Sequence, residues 1–337
     1  MRIICQLAVL LRLAGGRICS IDFGFIVRIT FLGTGAGLPS RTRNVSSMAL
    51  RLPQRREVWL FDCGEGTQHQ LLRSDLRSSQ ITRIFITHLH GDHIFGLPGL
   101  LGSCSLSGDP GRIDIYGPPG LERFLSVALE ISQSTLGFPM QVHTVEPGEI
   151  LSDGNCTVTA LPLEHRIPAY GYRVRERDHP GAFDAEAAGR MGVPPGPLYG
   201  RLKQGESVIL PDGRTVDGAA LCGPPEPGRV LAYCTDTTYC AGAVELARDA
   251  DLLVHEATFS ARHQELAVIS GHSTSEMAAR VATEAGARSL FITHLSSRYA
   301  PGTAIEPEEL LREARSIFSA TELAADFMEY EVPRRRG

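Results

Sequence analysis

The sequence predicts a layered α/β fold, and three observations support this. Short runs of β-branched and apolar residues come first as strands and then alternate with helical segments, an order typical of a layered sheet rather than a helical bundle. Several of these runs end in Asp or His, as expected where strand ends converge on one edge of a sheet. The chain of 337 residues is also long enough to bury a full core without disulfides.

The elements follow from the local pattern in chain order. Apolar and β-branched runs predict strands, and a capping residue before a periodic segment predicts a helix. Ser273 is the predicted cap of the helix that follows it. The predicted strands are 27–32, 47–52, 57–61, 81–86, 112–116, 156–163, 229–233, 251–254, 289–293 and 327–332, and the predicted helices are a short one from Asp92, then 121–131, 273–285 and 307–318.

Two segments fall outside this pattern. Residues 1–26 contain a short apolar run that arginines interrupt, too short to span a bilayer, and we expect them to be an N-terminal extension created by a misassigned start codon. Residues 174–217, called the arm below, are polar and rich in Gly and Pro, so we expect them to contribute little core and to project as an insertion. The rest, 27–337, is predicted to be one catalytic domain.

Composition excludes some classes of protein. The eight cysteines are scattered without a C-x-x-C pair, so neither a disulfide framework nor a cysteine zinc site is indicated, and a reducing cytoplasm is favoured. A formal net charge of −5 argues against a protein that coats nucleic acid through its overall field, yet it leaves room for a local basic patch. We expect no membrane association.

The strongest motif is the heptapeptide Thr87–His93, which holds three imidazoles and one carboxylate just after a predicted strand. Neutral imidazole and carboxylate are good zinc ligands, and no structural zinc finger uses this spacing. His88 and His90 are two apart, so they point to the same side of an extended segment. Asp92 and His93 then open a helix, where an aspartate is favoured by the helix dipole. The corner therefore offers ligands to two neighbouring metals.

The glycine-rich stretch Gly33–Gly37 resembles a dinucleotide fingerprint only superficially. The glycine spacing is wrong, and Pro39 with a polar run replaces the helix that such a site requires. An anion-binding nest with Arg41 and Arg43 beside it is the more economical interpretation.

Other candidate ligands also end predicted strands. The residues counted as ligands, among these and the heptapeptide, are five histidines and the two aspartates Asp92 and Asp236, which is too many for one tetrahedral zinc and suits two. A carboxylate can bridge two metals, and Asp236, alone at the end of its own strand, is the candidate bridge. The strand-end residues outside the heptapeptide are Asp62, His165, Asp236, Glu256 and His294.

This constellation resembles the metallo-β-lactamase superfamily in the order and kind of its H-x-H-x-D-H motif and later single residues. The resemblance implies a four-layer αββα sandwich with two zinc ions per subunit at one edge. It also implies that Asp62 supports the site without binding metal. The implied ligands are His88, His90, His165 and Asp236 for the first zinc, and Asp92, His93, Asp236 and His294 for the second.

Further stretches are similar to the ribonuclease Z family in its short form. They are 31–44, 61–68, His255–Thr258, Gly271–Thr274 and Thr293–Tyr299, and the Gly- and Pro-rich stretch 196–206 is similar to the hand of that family's arm. Arg41 and His69 depart from the family pattern. The resemblance implies an endoribonuclease that removes the 3′ trailer from tRNA precursors, leaving a 3′-hydroxyl on the tRNA and a 5′-phosphate on the trailer. It also implies a homodimer in which one subunit's arm holds tRNA for the other's site.

The resemblance assigns roles to the remaining residues. Asp92 would accept the proton of the attacking water, and His272, held by Glu256, would donate one to the leaving oxygen. The alternatives are a two-metal phosphodiesterase acting on small diesters and a non-catalytic RNA-binding module. Predicted substrate contacts are Arg43 and Arg298 near the metals, and Arg175, Arg177, Gly196, Pro197, Arg201 and Lys203 of the arm, with Tyr199 available for stacking.

Overall fold

The computed structural model describes residues 27–107, 111–300 and 302–334, so the predicted extension 1–26 lies outside the described residues. Most predicted strands are found within a residue or two of their expected bounds. In chain order the strands are β1 (Arg28–Gly33), β2 (Gly35–Ala36), β3 (Ser47–Leu52), β4 (Glu57–Phe61), β5 (Ile81–Phe85), β6 (Ile113–Gly117), β7 (Met140–Thr144), β8 (Gly148–Ser152), β9 (Cys156–Leu163), β10 (Ala169–Glu176), β11 (Val208–Ile209), β12 (Thr215–Val216), β13 (Val230–Cys234), β14 (Leu252–Glu256), β15 (Leu290–Thr293), β16 (Leu295–Ser296), β17 (Thr321–Leu323) and β18 (Glu329–Glu331).

Helices connect the strands and cover the outer faces of the sheets. In chain order they are α1 (Thr67–Leu72), α2 (Gly91–Ile94), α3 (Leu97–Ser107), α4 (Leu121–Ile131), α5 (Ala185–Arg190), α6 (Pro197–Lys203), α7 (Ala241–Ala247), α8 (Gln264–Ser270), α9 (Ser275–Glu284) and α10 (Pro307–Ile317). The prediction that Ser273 caps α9 is wrong. Thr274 is the cap and its Oγ1 accepts from the N–H of Met277, whereas the Ser273 hydroxyl donates to the Thr237 carbonyl at 2.6 Å.

Two seven-stranded sheets form the middle of the molecule. Their strand orders are β18-β1-β3-β4-β5-β6-β7 and β17-β15-β14-β13-β10-β9-β8. In each sheet four strands run parallel, β4 to β7 in the first and β13, β14, β15 and β17 in the second. The carboxyl ends of parallel strands lie at one edge, and loops leaving that edge carry the candidate ligands.

Three apolar clusters confirm the predicted αββα layering. The middle cluster is rich in aromatic side chains from the facing surfaces of both sheets, including Phe61, Phe85 and Tyr172. A second cluster joins α1, α3 and α4 to the outer face of the first sheet. A third joins α7, α9 and α10 to the outer face of the second sheet, where many small alanines let the helices approach closely. Such burial is the main source of stability.

The arm has more internal structure than its composition predicts. Helices α5 and α6 and the hairpin β11–β12 enclose a small apolar cluster of their own, built from Ala188, Val193, Leu202, Val208, Leu210, Val216 and Leu221. Strand β10 continues to Glu176, and His179 forms a backbone bridge with Glu226. The observed unit therefore occupies 177–228, and its expected lack of core is wrong because scattered apolar residues meet only after folding.

No helix in the described ranges is long and apolar enough to cross a bilayer.

Candidate metal centre and active site

The corner between β5 and α2 places the heptapeptide Thr87–His93 at the edge where both sheets end. His90 has extended backbone and immediately precedes α2, so the chain changes direction between the pair His88 and His90 and the pair Asp92 and His93. Nε2 of His88 lies 2.9 Å from Nδ1 of His90, which puts the two rings on one side of the segment. Asp92 and His93 follow in the first turn of α2.

The first predicted ligand set is brought together from three separate stretches of chain. Ligand atoms of His88, His90, His165 and Asp236 all lie within 4.8 Å of one another. Nε2 of His165 is 3.2 Å from Nδ1 of His90, and Nε2 of His88 is 3.6 Å from Oδ2 of Asp236. Three imidazoles and one carboxylate around a common point match the donor set of a zinc site.

The second set lies on the other side of Asp236. Asp92, His93 and His294 converge within the same 4.8 Å limit. Oδ1 of Asp236 is 3.3 Å from Nε2 of His93 and 3.2 Å from Nε2 of His294. Asp236 therefore presents one carboxylate oxygen to each set, which is the arrangement expected of a bridging ligand.

Hydrogen bonds at the far side of each ring fix how the histidines face the centre. Nδ1 of His165 bonds the carbonyl of Gly271 at 2.7 Å, and Nδ1 of His294 meets the Thr258 hydroxyl at 2.9 Å. Gly271 has a φ of +77°, and a Cβ there would lie 3.1 Å from the His165 ring, so glycine suits this position. Such outer contacts set the tautomer and leave the other nitrogen free to bind metal.

The donor atoms are placed to bind cations rather than to form hydrogen bonds with one another. The ring nitrogens of His88 and His90 face each other at 2.9 Å. Burial, followed by repulsion from His93, holds the pKa of His88 well below its usual value, so that ring is neutral and offers a lone pair. Oδ1 of Asp236 is buried without a hydrogen-bond partner among the described residues. Metal ions would satisfy all of these atoms, and imidazole with carboxylate suits zinc.

Asp62 supports the centre, as expected of a residue that lies behind the ligands. Its fully buried carboxylate accepts from the backbone N–H of Thr87 at 2.8 Å and lies 2.9 Å from Nδ1 of His93. Because an ionised carboxylate only accepts, Nδ1 of His93 carries the proton and Nε2 faces the metal position.

Three of the site residues have left-handed backbone conformations. The φ angles of Asp62, Asp236 and His294 are 59°, 49° and 57°, and each residue follows a strand closely. Residues other than glycine adopt this conformation at a cost of about 1 kcal/mol, with Asp and His among the more tolerant types. Sharp turns at the strand ends direct these side chains into the site, a use of strain that is common at functional centres.

His272 and Glu256 form a pair beside the two ligand sets. Nδ1 of His272 is 2.9 Å from Oε1 of Glu256, which is fully buried and also accepts the N–H groups of Thr237 and Thr258. Burial alone would lower the pKa of His272, but the charge and hydrogen bond of Glu256 outweigh it and raise that pKa to about 9. The protonated ring is therefore available as an acid beside the centre.

A cleft of about 670 Å³ opens over this centre. Its walls include Gly37, Leu38 and Pro39 on one side and Phe95 on another, and His272 and Asp236 also line it. None of the cleft-lining residues comes from the arm. Four of the candidate ligands, His90, Asp92, Asp236 and His294, line this opening.

The predicted substrate contacts are only partly placed at the cleft. Arg298 is exposed in the turn after β16, near Ser296 of the cleft wall. Arg43 does not line the cleft; its Nη1 donates to Thr34 Oγ1 at 2.7 Å and to the Ala324 carbonyl at 2.6 Å. Local hydrogen bonds hold the guanidinium, and a phosphate contact from Arg43 stays a prediction.

The arm residues lie apart from the cleft. Gly196 and Pro197 begin α6 and are exposed, as are Arg201 and Lys203 near its end. Tyr199 is half-buried, and its hydroxyl donates to carbonyls of Ala185 and Val193, so this ring supports the arm rather than standing free for stacking. The remaining predicted arm contacts, Arg175 and Arg177, are exposed where the chain leaves β10 and enters the arm.

Sequence reasoning missed two polar residues of the site. Thr258 bridges the rings of His294 and His272, at 2.9 and 3.4 Å, and its position in His255–Thr258 was the available signal. Asp326 could not be predicted, because it lies near the C-terminus outside any recognised motif and comes close to the site region only in the folded protein.

Comparison with known proteins identifies the family. A protein from Acaryochloris marina named ribonuclease Z is 63% identical over 309 residues, which is 92% of this chain and 98% of that protein. The chain belongs to the ribonuclease Z family. A ribonuclease Z from Nostoc sp. is 61% identical over 310 residues, with 92% of this chain and 96% of that protein covered.

Solved structures agree with this assignment to the ribonuclease Z family. Human tRNase Z, short form, is 34% identical with a TM-score of 0.64, covering 91% of this chain and 99% of that one. The metallo-β-lactamase fold protein YhfI from Bacillus subtilis has the same TM-score at 21% identity and 91% and 99% coverage, and this likeness concerns the fold alone. A family model described as anti-Pycsar protein Apyc1 matches residues 27–177.

Membership confirms four predictions made from the sequence. The metallo-β-lactamase fold and the ribonuclease Z family are both as expected. The predicted activity, a hydrolase that cleaves RNA internally and processes tRNA 3′ ends, is confirmed with the family, as is its dependence on metal.

Proposed function

We propose that this chain removes the 3′ trailer from tRNA precursors with two zinc ions per subunit, leaving a 3′-hydroxyl on the tRNA and a 5′-phosphate on the trailer. The observation that carries the proposal is the pair of ligand sets sharing Asp236 on the floor of an open cleft, with His272 beside them. Membership of the ribonuclease Z family supplies the substrate class.

The ligands are assigned by their distances. His88, His90 and His165 with Oδ2 of Asp236 hold one zinc, and the second is held by Asp92, His93 and His294 with Oδ1 of Asp236. When bound there, two zinc ions would supply a nucleophile at neutral pH and neutralise charge on the reacting phosphate.

Asp92 is assigned two functions. Its Oδ2 accepts the N–H of Gly37 at 2.8 Å and lies 3.4 Å from Nε2 of His294, so this oxygen is fixed at the mouth of the second set. Its other oxygen is the proposed acceptor for the proton of the attacking water. Because the carboxylate is held from two sides, it needs no reorientation before accepting that proton.

His272 is the proposed general acid. Its ring faces the cleft, and the carboxylate of Glu256 fixes its Nδ1, so Nε2 can donate to the departing 3′-oxygen of the tRNA. Glu256 itself is anchored by two backbone N–H groups and keeps its charge in a buried position. It therefore acts through His272 rather than on the substrate.

The arm is the proposed holder of tRNA, and the subunits are proposed to pair. Arg201 and Lys203 are exposed on α6, where cations can contact phosphates, and Arg298 can do so near the cleft. The arm residues lie outside their own cleft, which favours a homodimer in which each arm serves the other subunit's site. We also propose a cytoplasmic location, where tRNA precursors and reduced cysteines are found together.

The direct test uses purified protein and a tRNA precursor carrying a 3′ trailer. We expect one cut that releases the trailer, loss of that cut after treatment with a chelator, and its recovery with zinc. Terminal phosphate analysis should find the 5′-phosphate on the trailer. A precursor left intact by protein loaded with two zinc ions would disprove the proposed substrate.

A deletion separates this function from hydrolysis of small diesters. His179 and Glu226 pair at the base of the arm, so residues 180–225 can be replaced by a short Gly-Ser linker without opening the sheet. We expect the shortened protein to lose precursor cleavage while it still hydrolyses bis(4-nitrophenyl) phosphate. Full precursor cleavage by the shortened protein would favour the small-diester alternative over our assignment.

A further inference from the structure

One wall of the cleft is a single loop, residues 34–44, called the cleft-wall loop here. Its residues from Gly37 to Thr42 are exposed, and Gly37 to Pro39 line the cleft. The N–H of Gly37 bonds Oδ2 of Asp92 at 2.8 Å, which links the loop directly to the second ligand set. An exposed loop of this kind needs anchors if it is to present a fixed surface to a substrate.

Asp326 anchors both ends of this loop. Oδ1 accepts the hydroxyl of Thr34 at 2.7 Å, where the loop begins, and Oδ2 accepts the N–H of Asn44 at 2.7 Å, where it ends. Gln70 of α1 donates to the same Oδ2 at 2.9 Å. One carboxylate thus accepts hydrogen bonds from three donors that lie on elements far apart in sequence.

Arg43 strengthens the same anchor. Its Nη1 donates to Thr34 Oγ1 and to the carbonyl of Ala324, two residues before Asp326. The hydroxyl of Thr34 is therefore held between Arg43 and Asp326, accepting from one and donating to the other. This network explains why the guanidinium of Arg43 is turned toward the C-terminal segment instead of the cleft.

The segment that carries Asp326 is itself fixed to the first sheet. The N–H of Phe327 bonds the carbonyl of Phe31 at 2.7 Å, and the N–H of Phe31 bonds the carbonyl of Met328 at 3.0 Å. The guanidinium of Arg73 lies over the Phe327 ring at 4.6 Å. Strand β18 then pairs with β1, so the position of Asp326 follows the position of the sheet.

We infer that Asp326 is a positioning residue for substrate binding, which sets the place of the cleft-wall loop through Thr34 and Asn44. The inference rests on the proposed function, because it takes the tRNA precursor as the substrate that this wall contacts. Asp326 does not touch the metal ligands directly, so the chemical step on a small substrate depends on it much less.

The test compares two substrates in the Asp326→Ala variant. Leaving three donors without their acceptor loosens the loop, and we expect KM for the precursor to rise about tenfold with kcat changed much less. Hydrolysis of bis(4-nitrophenyl) phosphate should stay within about twofold of wild type, since this small diester makes little use of the wall. Zinc content should stay at two per chain.

Two further variants make the result specific. Asp326→Asn keeps one carbonyl oxygen for the N–H groups and can place its amide against the Thr34 hydroxyl, so it should restore most of the lost affinity. Glu329→Ala removes an exposed carboxylate from the same segment, where it pairs only with Arg28 at the surface, and should leave KM unchanged.

Several outcomes would overturn the inference. An unchanged KM in Asp326→Ala, with wild type cleaving the precursor normally, would remove Asp326 from substrate binding and leave the proposed function intact. An equal loss of activity on both substrates would show a merely structural role. Failure of wild type itself to cleave the precursor would disprove the proposed function, and the inference with it.

Discussion

Replacing Asp62 with asparagine should weaken one of the two metal sites and spare the other. Oδ1 of Asp62 faces the N–H of Thr87 at 2.8 Å, and Oδ2 faces Nδ1 of His93 at 2.9 Å. Asparagine has the same shape and tolerates the left-handed backbone of this position. Its amide nitrogen, however, must meet one of those two N–H groups whichever way the side chain is turned.

The expected loss of zinc affinity depends on which ring nitrogen of His93 carries the proton in the variant. If the amide nitrogen faces the ring, Nδ1 must give up its proton, Nε2 then carries it, and the ring no longer offers a lone pair to the metal. Losing an orienting partner of this kind weakens metal affinity about 10- to 100-fold, or roughly 1.4 to 2.8 kcal/mol. His88 is linked to Asp62 indirectly, through the Thr87 hydroxyl that lies 3.0 Å from its Nδ1, and His165 is held by the Gly271 carbonyl, so the first site should keep most of its affinity.

The assay is a titration of zinc-free protein in zinc buffers, with bound metal and precursor cleavage measured together. We expect the Asp62→Asn variant to hold one zinc tightly and the second weakly, with activity following the second. Asp114→Asn is a matched control, because Asp114 lies 2.9 Å from Nε2 of His143 in a pair remote from the centre. Unchanged affinity at both sites, or equal weakening of both, would refute the reasoning.

Four other predictions concern the site and its stability. His272→Ala should lower kcat by about 100-fold or more with both zinc ions retained; in Glu256→Gln the lost negative charge lowers the pKa of His272 from about 9, so kcat should fall off at lower pH than in wild type. Asp236→Ala should leave fewer than two zinc ions per chain and lower activity by more than about 100-fold, because a lost ligand costs more than a lost outer contact. Glu176→Ala should destabilise the fold by about 3 kcal/mol in urea, since it takes the bidentate partner from the buried guanidinium of Arg229.

For three of these variants the contrary result is easy to recognise. An alkaline limb that stays in place in Glu256→Gln would remove His272 as the titrating acid. Full activity with two bound zinc ions in Asp236→Ala would disprove the bridge. A urea midpoint equal to wild type for Glu176→Ala would show that the buried pair contributes no net stability.

Ten strands and four helices could be predicted, because burial leaves a local pattern. The runs Glu57–Phe61 and Cys156–Leu163 are found at their predicted bounds, since both are apolar or alternating and end in turn residues. The edge strands β7 and β8 were missed, because their half-exposed residues alternate weakly. The apolar cluster of the arm was not predicted for a related reason. It includes Leu202 and Val216, which are too far apart in sequence to belong to one helical or strand pattern.

The candidate ligands were also accessible from the sequence, because metal chemistry restricts residue type. Few sequences place three imidazoles and a carboxylate as Thr87–His93 does, and strand ends are natural positions for the other ligands. The sequence could not show how the side chains are oriented or which atoms form hydrogen bonds. The orientation of Arg43 is an example, since its hydrogen bonds to Thr34 and Ala324 join residues that only the fold brings together.

The sequence by itself therefore determined the layered fold, the likeness to the ribonuclease Z family and the identity of the candidate ligands, because each depends on local pattern or residue chemistry. Only the tertiary structure decided that Asp236 presents one oxygen to each ligand set and that Asp62 fixes His93. Only it showed that Asp326 anchors the cleft wall. The physical reason is that hydrogen bonds and shared carboxylates depend on distances of a few ångströms between residues remote in the chain, which no sequence spacing specifies.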